Sequence, residues 1–202
     1  MRLNGKWRAM LLFGPPGCGK GTQGKALGGM PGFLHVASGE IFRQLYKLGT
    51  LGREVASYTD AGQLVPDDTT IQVWRSHMNA LMEKGTFAPE DQVILLDGIP
   101  RTFQQAVYLA EDIEVLSIFS LEVQDDDELV TRIKARALKE NRTDDAKEEV
   151  IRGRLATFHQ QTAETLSFYD PSLVVRINAS QPPLRVLLDM ASHICNLVEN
   201  MV

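Results

Sequence analysis

The stretch Gly14-Pro15-Pro16-Gly17-Cys18-Gly19-Lys20-Gly21-Thr22 constrains the fold and chemistry of this chain more than any other. It follows a short apolar run and leads into a helical pattern. That is the setting in which a glycine-rich turn wraps a phosphate. Glycines let successive backbone N–H groups turn inward around phosphate oxygens, where a side chain would block the approach. A helix starting near Lys20 points its positive end at the same anion. Lys20 adds a full charge for the β- and γ-phosphates. In the general pattern Ser or Thr follows the lysine directly and reaches magnesium. Here Gly21 intervenes and Thr22 comes second.

A second element is the apolar run Val93-Ile94-Leu95-Leu96 ending in Asp97. An acid at the end of a strand is commonly a turn residue. Downstream of a phosphate loop it reads as the carboxylate that organises magnesium and its waters. Short apolar runs at 9–13, 33–36, 93–97, 116–123 and 173–177 have the character of strands buried on both faces. Helical patterns lie between and after them, at 20–29, 39–48, 52–61, 67–84, 103–111, 125–139, 145–168 and 182–199. This alternation predicts an α/β fold with a five-stranded parallel sheet covered by helices on both faces. Two stretches exceed simple crossovers. Residues 38–84 hold three helical segments without a strand, and 137–144 is short and polar. Such insertions beside strand ends are where ligand-binding lids form. The expected organisation is one domain over 1–202. Its core is 1–37, 85–136 and 145–202, with an insertion at about 38–84 and a lid at about 137–144.

The net charge of −5 argues against general nucleic-acid binding. An anionic substrate must then meet a local cluster of positive charge. Five arginines fall between Arg132 and Arg154, and arginine is the better two-pronged partner for phosphate. Standing alone, such a cluster reads as a solvated helix face. No apolar run approaches the ~18 residues of a membrane span, and the run at 9–13 is too short for a signal-peptide core. A cytoplasmic location is expected, with Cys18 and Cys195 as reduced thiols. His35, His77, His159 and His193 form no ligand spacing and read as structural, as do Trp7 and Trp74. Asp125–Asp127 reads as a helix cap with a favourable dipole interaction.

Five motifs together resemble the adenylate kinase family. Residues 14–23 look like its phosphate loop, including the glycine between Lys20 and Thr22. Ser38-Gly39-Glu40-Ile41-Phe42-Arg43 resembles its Thr-Gly-Asp-x-x-Arg segment. Gly62-Gln63-Leu64-Val65-Pro66 resembles its monophosphate-base loop. Asp97-Gly98-Ile99-Pro100-Arg101-Thr102 with Gln105 resembles its Asp-Gly-Phe-Pro-Arg-Thr-x-x-Gln signature. Arg132, Arg136, Arg142 and Arg154 resemble the arginine series around its lid. The likeness runs in order from about residue 9 to residue 183.

The resemblance implies a P-loop fold and Mg²⁺-dependent, reversible transfer of a phosphoryl group from ATP to AMP, giving two ADP. It places Gly17, Cys18, Gly19, Lys20, Gly21, Thr22, Arg132 and Gln181 at ATP. It places Ser38, Arg43, Gln63, Leu64, Val65, Gly98, Arg101, Gln105, Arg142 and Arg154 at AMP. Lys20, Asp97, Arg101, Arg136, Arg142 and Arg154 are its expected catalytic set. Magnesium would be held through phosphates and waters, with Thr22 and Asp97 nearby and no direct protein ligand. The short lid lacks the zinc-binding cysteines of some relatives, so no structural zinc is expected. The chain is expected to be a monomer.

Several positions depart from the family pattern. Glu40 stands for the usual Asp and Ile99 for the usual Phe. One extra residue between Asp145 and Arg154 makes Arg152 a rival to Arg154. Within the family the alternative is a UMP/CMP kinase, whose relatives usually carry Asn at the positions of Thr102 and Gln105. A nucleotide-binding relative without kinase activity is a further alternative. A switch GTPase is disfavoured because no Asn-Lys-x-Asp guanine motif is present. Phosphoryl transfer of this kind needs no protein nucleophile, so Cys18 reads as a residue packed under the loop.

Overall fold

The computed structural model describes residues 5–46, 49–140 and 147–199. Strands β1 (Trp7–Phe13), β2 (Phe33–Ala37), β3 (Val93–Asp97), β4 (Ile113–Glu122) and β5 (Val174–Asn178) form one parallel sheet in the order β2-β3-β1-β4-β5. Helix α1 (Lys20–Gly28) follows β1. Helices α2 (Ser38–Leu45), α3 (Gly49–Asp60) and α4 (Asp67–Glu83) fill the stretch between β2 and β3. Helix α5 (Phe103–Leu109) connects β3 to β4. Helices α6 (Asp126–Glu140) and α7 (Glu148–Leu166) lie between β4 and β5, and α8 (Pro183–Glu199) closes the chain. The five-stranded α/β architecture expected from the sequence is the one observed.

Two strands start earlier than the apolar pattern indicated. β1 begins at Trp7 and β4 at Ile113. The charged residues Arg8 and Glu114 had broken the pattern. They sit opposite one another in the β1–β4 register, at the end of the sheet away from the glycine loop. Arg8 is accommodated there by donating to the Glu90 carbonyl at 3.1 Å.

Alternation along the strands divides the core in two. Ala9, Leu11 and Phe13 on β1, with Ile94 and Leu96 on β3, join Trp74, Met78 and Leu109 on one face. Met10 and Leu12, with Leu95, join Leu27, Leu129, Ile133 and Met190 on the other. Burying each such side chain contributes about 1.5–3 kcal/mol. Trp7 and Trp74 pack edge to face with centroids 5.8 Å apart, the packing role expected of them. Asp125 accepts the Asp127 backbone N–H at 2.9 Å and caps α6. No helix among the described residues is long and apolar enough to cross a membrane.

Strand β1 is flanked by β3 on one side and β4 on the other. After β1 the chain crosses to β2 at one edge; the later strands β4 and β5 continue on the opposite side. In open parallel sheets the crevice at such a divergence, beyond the carboxyl ends of the strands, is where ligands bind. Phe13, Ala37 and Asp97 are those ends here.

Candidate active site

A cleft of about 710 Å³ opens at this point. Its floor is the glycine loop. Gly14, Gly17 and Gly19 have φ of 148°, 84° and 105°, conformations that L side chains rarely adopt. Space is as restrictive as angle. A Cβ on Gly14 would stand 2.6 Å from both Cys18 Sγ and the Leu121 carbonyl oxygen. One on Gly17 would stand 2.8 Å from Ile133 Cγ1. Gly19 precedes α1 and supplies no side-chain cap, which leaves the helix's first N–H groups beside the cleft. Lys20 Nζ donates to the carbonyls of Gly14 at 2.6 Å and Pro15 at 3.0 Å, so the ammonium is centred over the loop.

Cys18 is buried under the loop, 3% exposed. Burial raises its thiol pKa above the ordinary value, and the nearby Lys20 charge does not reverse the shift. The thiol is therefore neutral at physiological pH and unsuited to nucleophilic attack. Cys195 is exposed, and both cysteines are free. Iodoacetamide at pH 7.5 should thus modify the native protein once, at Cys195, and the unfolded chain twice. Peptide mass mapping reads the two sites separately. Rapid native alkylation of Cys18 would contradict its enclosure.

Asp97 ends β3, in register with Leu12 on β1 and Ala37 on β2. Its Oδ2 lies 3.6 Å from His35 Nε2, just beyond hydrogen-bond distance. Burial acts to raise the Asp97 pKa. The facing His35, then Lys20 and Arg101, outweigh burial and hold the carboxyl below its ordinary value. Asp97 is thus an ionised carboxylate at neutral pH. His35 reaches it because α1 has glycines where β2 passes. A Cβ on Gly24 would meet His35 Nε2 at 2.3 Å, and one on Gly28 would meet His35 Cβ at 2.6 Å. The sequence reading gave His35 a structural role only; the fold sets it directly behind the carboxylate.

Across the cleft lie the residues of the insertion and of the loop after β3. Ser38 is 2% exposed, and its Oγ has no hydrogen-bond partner. Gly98, at φ 83°, has no room for a Cβ, which would stand 2.5 Å from that Oγ. Arg101 Nε donates to the Gly98 carbonyl at 2.7 Å. Enclosure lowers the Arg101 pKa to about 10, with Arg154 and Arg43 adding to the effect and Asp97 opposing it. By surface area the residue is exposed, and the guanidinium stays charged at neutral pH. Arg43, Gln63, Leu64, Val65, Arg136 and Arg154 line the same cleft. Three mutually repelling guanidinium groups, Arg43, Arg101 and Arg154, make a site that favours a multiply charged anion.

Arg152 and Arg154, rivals by spacing, are placed differently. Arg152 is half-exposed and paired with Glu148 at 2.9 Å and Asp127 at 2.8 Å. Arg154 lines the cleft, and its Cγ would lie 3.2 Å from a Cβ on Gly62. Arg142 lies outside the described residues, as do residues 141–144 of the expected lid. Residues 137–140 are the last turn of α6.

On the loop side, Arg132 is ion-paired with Glu128 and donates to the Ala179 carbonyl at 3.0 Å. Gln181 donates to Asp189 at 2.5 Å. Both line the cleft beside Gly17–Thr22. Glu40 uses its longer arm to reach Lys25 on α1 at 2.8 Å. That contact lowers the Glu40 pKa, with burial opposing. Ile99 is buried in the core and packs as an aliphatic filler. Gln105 is 1% exposed and, with Thr102, is bonded to Asp67, a residue not singled out in the sequence.

A glycine cradle with its lysine, an ionised carboxylate and arginines facing them across one cleft define a phosphate-loop protein built to handle nucleotide phosphates. The sequence profile described as "Adenylate kinase" matches residues 12–173. The chain is 42% identical over 175 residues to an adenylate kinase of Kocuria rhizophila, covering 84% of this chain and 89% of the relative. It is 39% identical over 179 residues to one of Thermobifida fusca, covering 86% and 90%. A Cyanothece adenylate kinase is 35% identical over 200 residues, 95% of each chain. The chain belongs to the adenylate kinase family, nucleoside-monophosphate kinases that act as ATP:AMP phosphotransferases.

Proposed function

We propose that this cleft holds ATP on the loop side and AMP on the insertion side and passes the phosphoryl group directly between them, giving two ADP. One observation carries the assignment of sides. A single cleft runs from the Lys20 cradle to the Arg43–Arg101–Arg154 cluster, with Asp97 between. Residues 17–22, Arg132 and Gln181 contact ATP on this reading. Ser38, Arg43, residues 63–65, Gly98, Arg101 and Gln105 contact AMP.

Transfer of this kind requires positioning and charge stabilisation more than covalent work. Backbone N–H groups and Lys20 hold the donor phosphates. Arg43 and Arg101 fix the acceptor phosphate in line. Arg136, Arg142 and Arg154 neutralise the charge spread over the phosphoryl in flight. The insertion 38–84 and the lid 137–144 close over both substrates and exclude water, which would otherwise accept the phosphoryl. The ionised Asp97, beside Gly21 in the cleft that Thr22 also lines, suits a hydrated magnesium ion. Asp97 and Thr22 would hold it through water, and a bound ion would neutralise charge on the donor phosphates. The protein acts as a monomer, since its own helices cover both faces of the sheet. It works in the cytoplasm, where two free thiols remain reduced.

A coupled assay of ADP formation with ATP and each of AMP, CMP, UMP and GMP tests the reading. The expected result is turnover with AMP at a kcat/KM at least about tenfold above the others. A preference for CMP or UMP would identify the pyrimidine kinase instead. Nucleotide binding without ADP formation would identify an inactive relative.

A further inference from the structure

Thr102 and Gln105, the two positions that separate adenine from pyrimidine readers in the sequence, are bonded to one carboxylate oxygen. Thr102 Oγ1 donates to Asp67 Oδ1 at 3.0 Å, and Gln105 Nε2 donates to the same atom at 2.8 Å. On its other side, Gln105 Oε1 accepts the Arg101 backbone N–H at 2.7 Å. The Thr102 hydroxyl also accepts the Gln105 backbone N–H at 3.1 Å, which turns its own proton toward Asp67.

The two ends of a glutamine amide are nearly equal in shape and opposite in chemistry. Unconstrained, Gln105 could present either end to either neighbour. Its two neighbours here differ in kind. The Asp67 carboxylate only accepts, so it faces the NH₂ group. The Arg101 N–H only donates, so it faces the carbonyl oxygen. Reversing the amide would set oxygen against oxygen and N–H against N–H at a position 1% exposed, where unsatisfied polar groups are costly. One N–H and one lone pair of Gln105 are left over, in fixed order. The 6-amino edge of adenine offers the complement, a ring-nitrogen acceptor beside an amine donor. A 6-oxo purine offers the reverse, a ring N–H beside a carbonyl oxygen, and would need the amide inverted.

We propose that Asp67 is a positioning residue for base selection. By locking the Gln105 amide in one sense, it sets the preference for a 6-amino over a 6-oxo purine monophosphate. This rests on the reading that Gln105 faces the acceptor base. Asp67 opens α4 immediately after the 62–65 loop, so the base-reading glutamine is oriented by the insertion. Placing the base and setting the amide are thus coupled in one segment.

Steady-state kinetics with ATP and either AMP or inosine monophosphate test the proposal. The wild type should favour AMP by at least about tenfold in kcat/KM, the scale a two-pronged amide–base pair supplies. Asp67→Asn keeps the size and helix position but can donate or accept, so it removes one of the two constraints on the amide and leaves the Arg101 N–H as the other. It should raise KM for AMP, leave kcat within about twofold, and reduce the AMP-to-inosine ratio about tenfold. Asp67→Glu retains an acceptor-only group and should keep the preference. Asp68→Asn is the control: the adjacent acid interacts with Tyr108 instead and should leave the ratio unchanged. Circular dichroism melts establish that each variant is folded.

A wild type indifferent between the two monophosphates would overturn the proposal. So would an unchanged ratio in Asp67→Asn, or a loss in Asp67→Glu equal to that in the Asn variant. Gln105→Ala separates the underlying reading. If its ratio equals that of the wild type, Gln105 does not face the base. If it loses the preference while Asp67→Asn keeps it, the base site stands and the role given to Asp67 fails.

Discussion

Replacing Arg136 by Ala is expected to lower kcat by roughly 10³–10⁵, the worth of a charge-stabilising arginine in phosphoryl transfer. Arg101→Ala should fall in the same range and in addition raise KM for AMP, because Arg101, anchored to the Gly98 carbonyl, lies on the side proposed for AMP. Arg136 lines the cleft from α6 and is not among the residues proposed to hold AMP, so its loss should leave AMP binding almost unchanged. An interaction made only in the transition state lowers kcat and kcat/KM together. Arg152→Ala provides the contrast. Its side chain is occupied outside the cleft by Glu148 and Asp127, and this variant should retain full turnover. A coupled ADP-formation assay with all three variants reads these effects. Full turnover by both Arg101→Ala and Arg136→Ala would remove the arginines from the chemistry.

Gly14→Ala is expected to be strongly destabilising, because both angle and space exclude a side chain there. The left-handed φ of 148° costs a non-glycine residue about 1–2 kcal/mol. The added Cβ also meets the Leu121 carbonyl oxygen at 2.6 Å, a backbone atom of a central strand that cannot swing aside. Overpacking of this kind costs about 1–3 kcal/mol more. Together these predict a loss of roughly 2–5 kcal/mol and a fall in Tm of roughly 4–20 °C for a domain of this size. Gly19→Ala separates angle from space. It shares a positive φ, 105°, but its Cβ would have nothing within 4 Å. Its loss should stay near the strain term alone, about 1–2 kcal/mol. Calorimetric melts of the two variants distinguish them. Equal Tm values would mean that crowding at Leu121 contributes nothing.

The strands were legible in the sequence because parallel strands buried on both faces need uninterrupted apolar residues, and 93–97 supplies them without a break. The cradle was legible because its glycines are required one by one, by angle at Gly19 and by both angle and space at Gly14 and Gly17. What escaped depends on residues far apart in the chain. His35 meets Asp97 only because β2 and β3 are neighbours in the sheet and Gly24 and Gly28 clear a path past α1. Asp67 reads locally as an acid in the first turn of a helix, a common and sufficient reason for its presence. Its bonds to Thr102 and Gln105 cross 35 and 38 residues. The starts of β1 and β4 were hidden by Arg8 and Glu114, charged residues that interrupt the apolar runs and whose neighbours come from elsewhere in the chain. Spacing alone left Arg152 and Arg154 as rivals, and the direction of each side chain from α7 decides between them.

The placement of donor and acceptor is tested most directly by a crystal structure with a bisubstrate analogue, two adenosines joined by a chain of phosphates. The expected result is one adenosine beside Arg132 and Gln181, the other against Gln105, and the phosphates running from the Gly14–Thr22 turn to Arg101. An analogue bound in another cleft, with that turn free of phosphate, would contradict it.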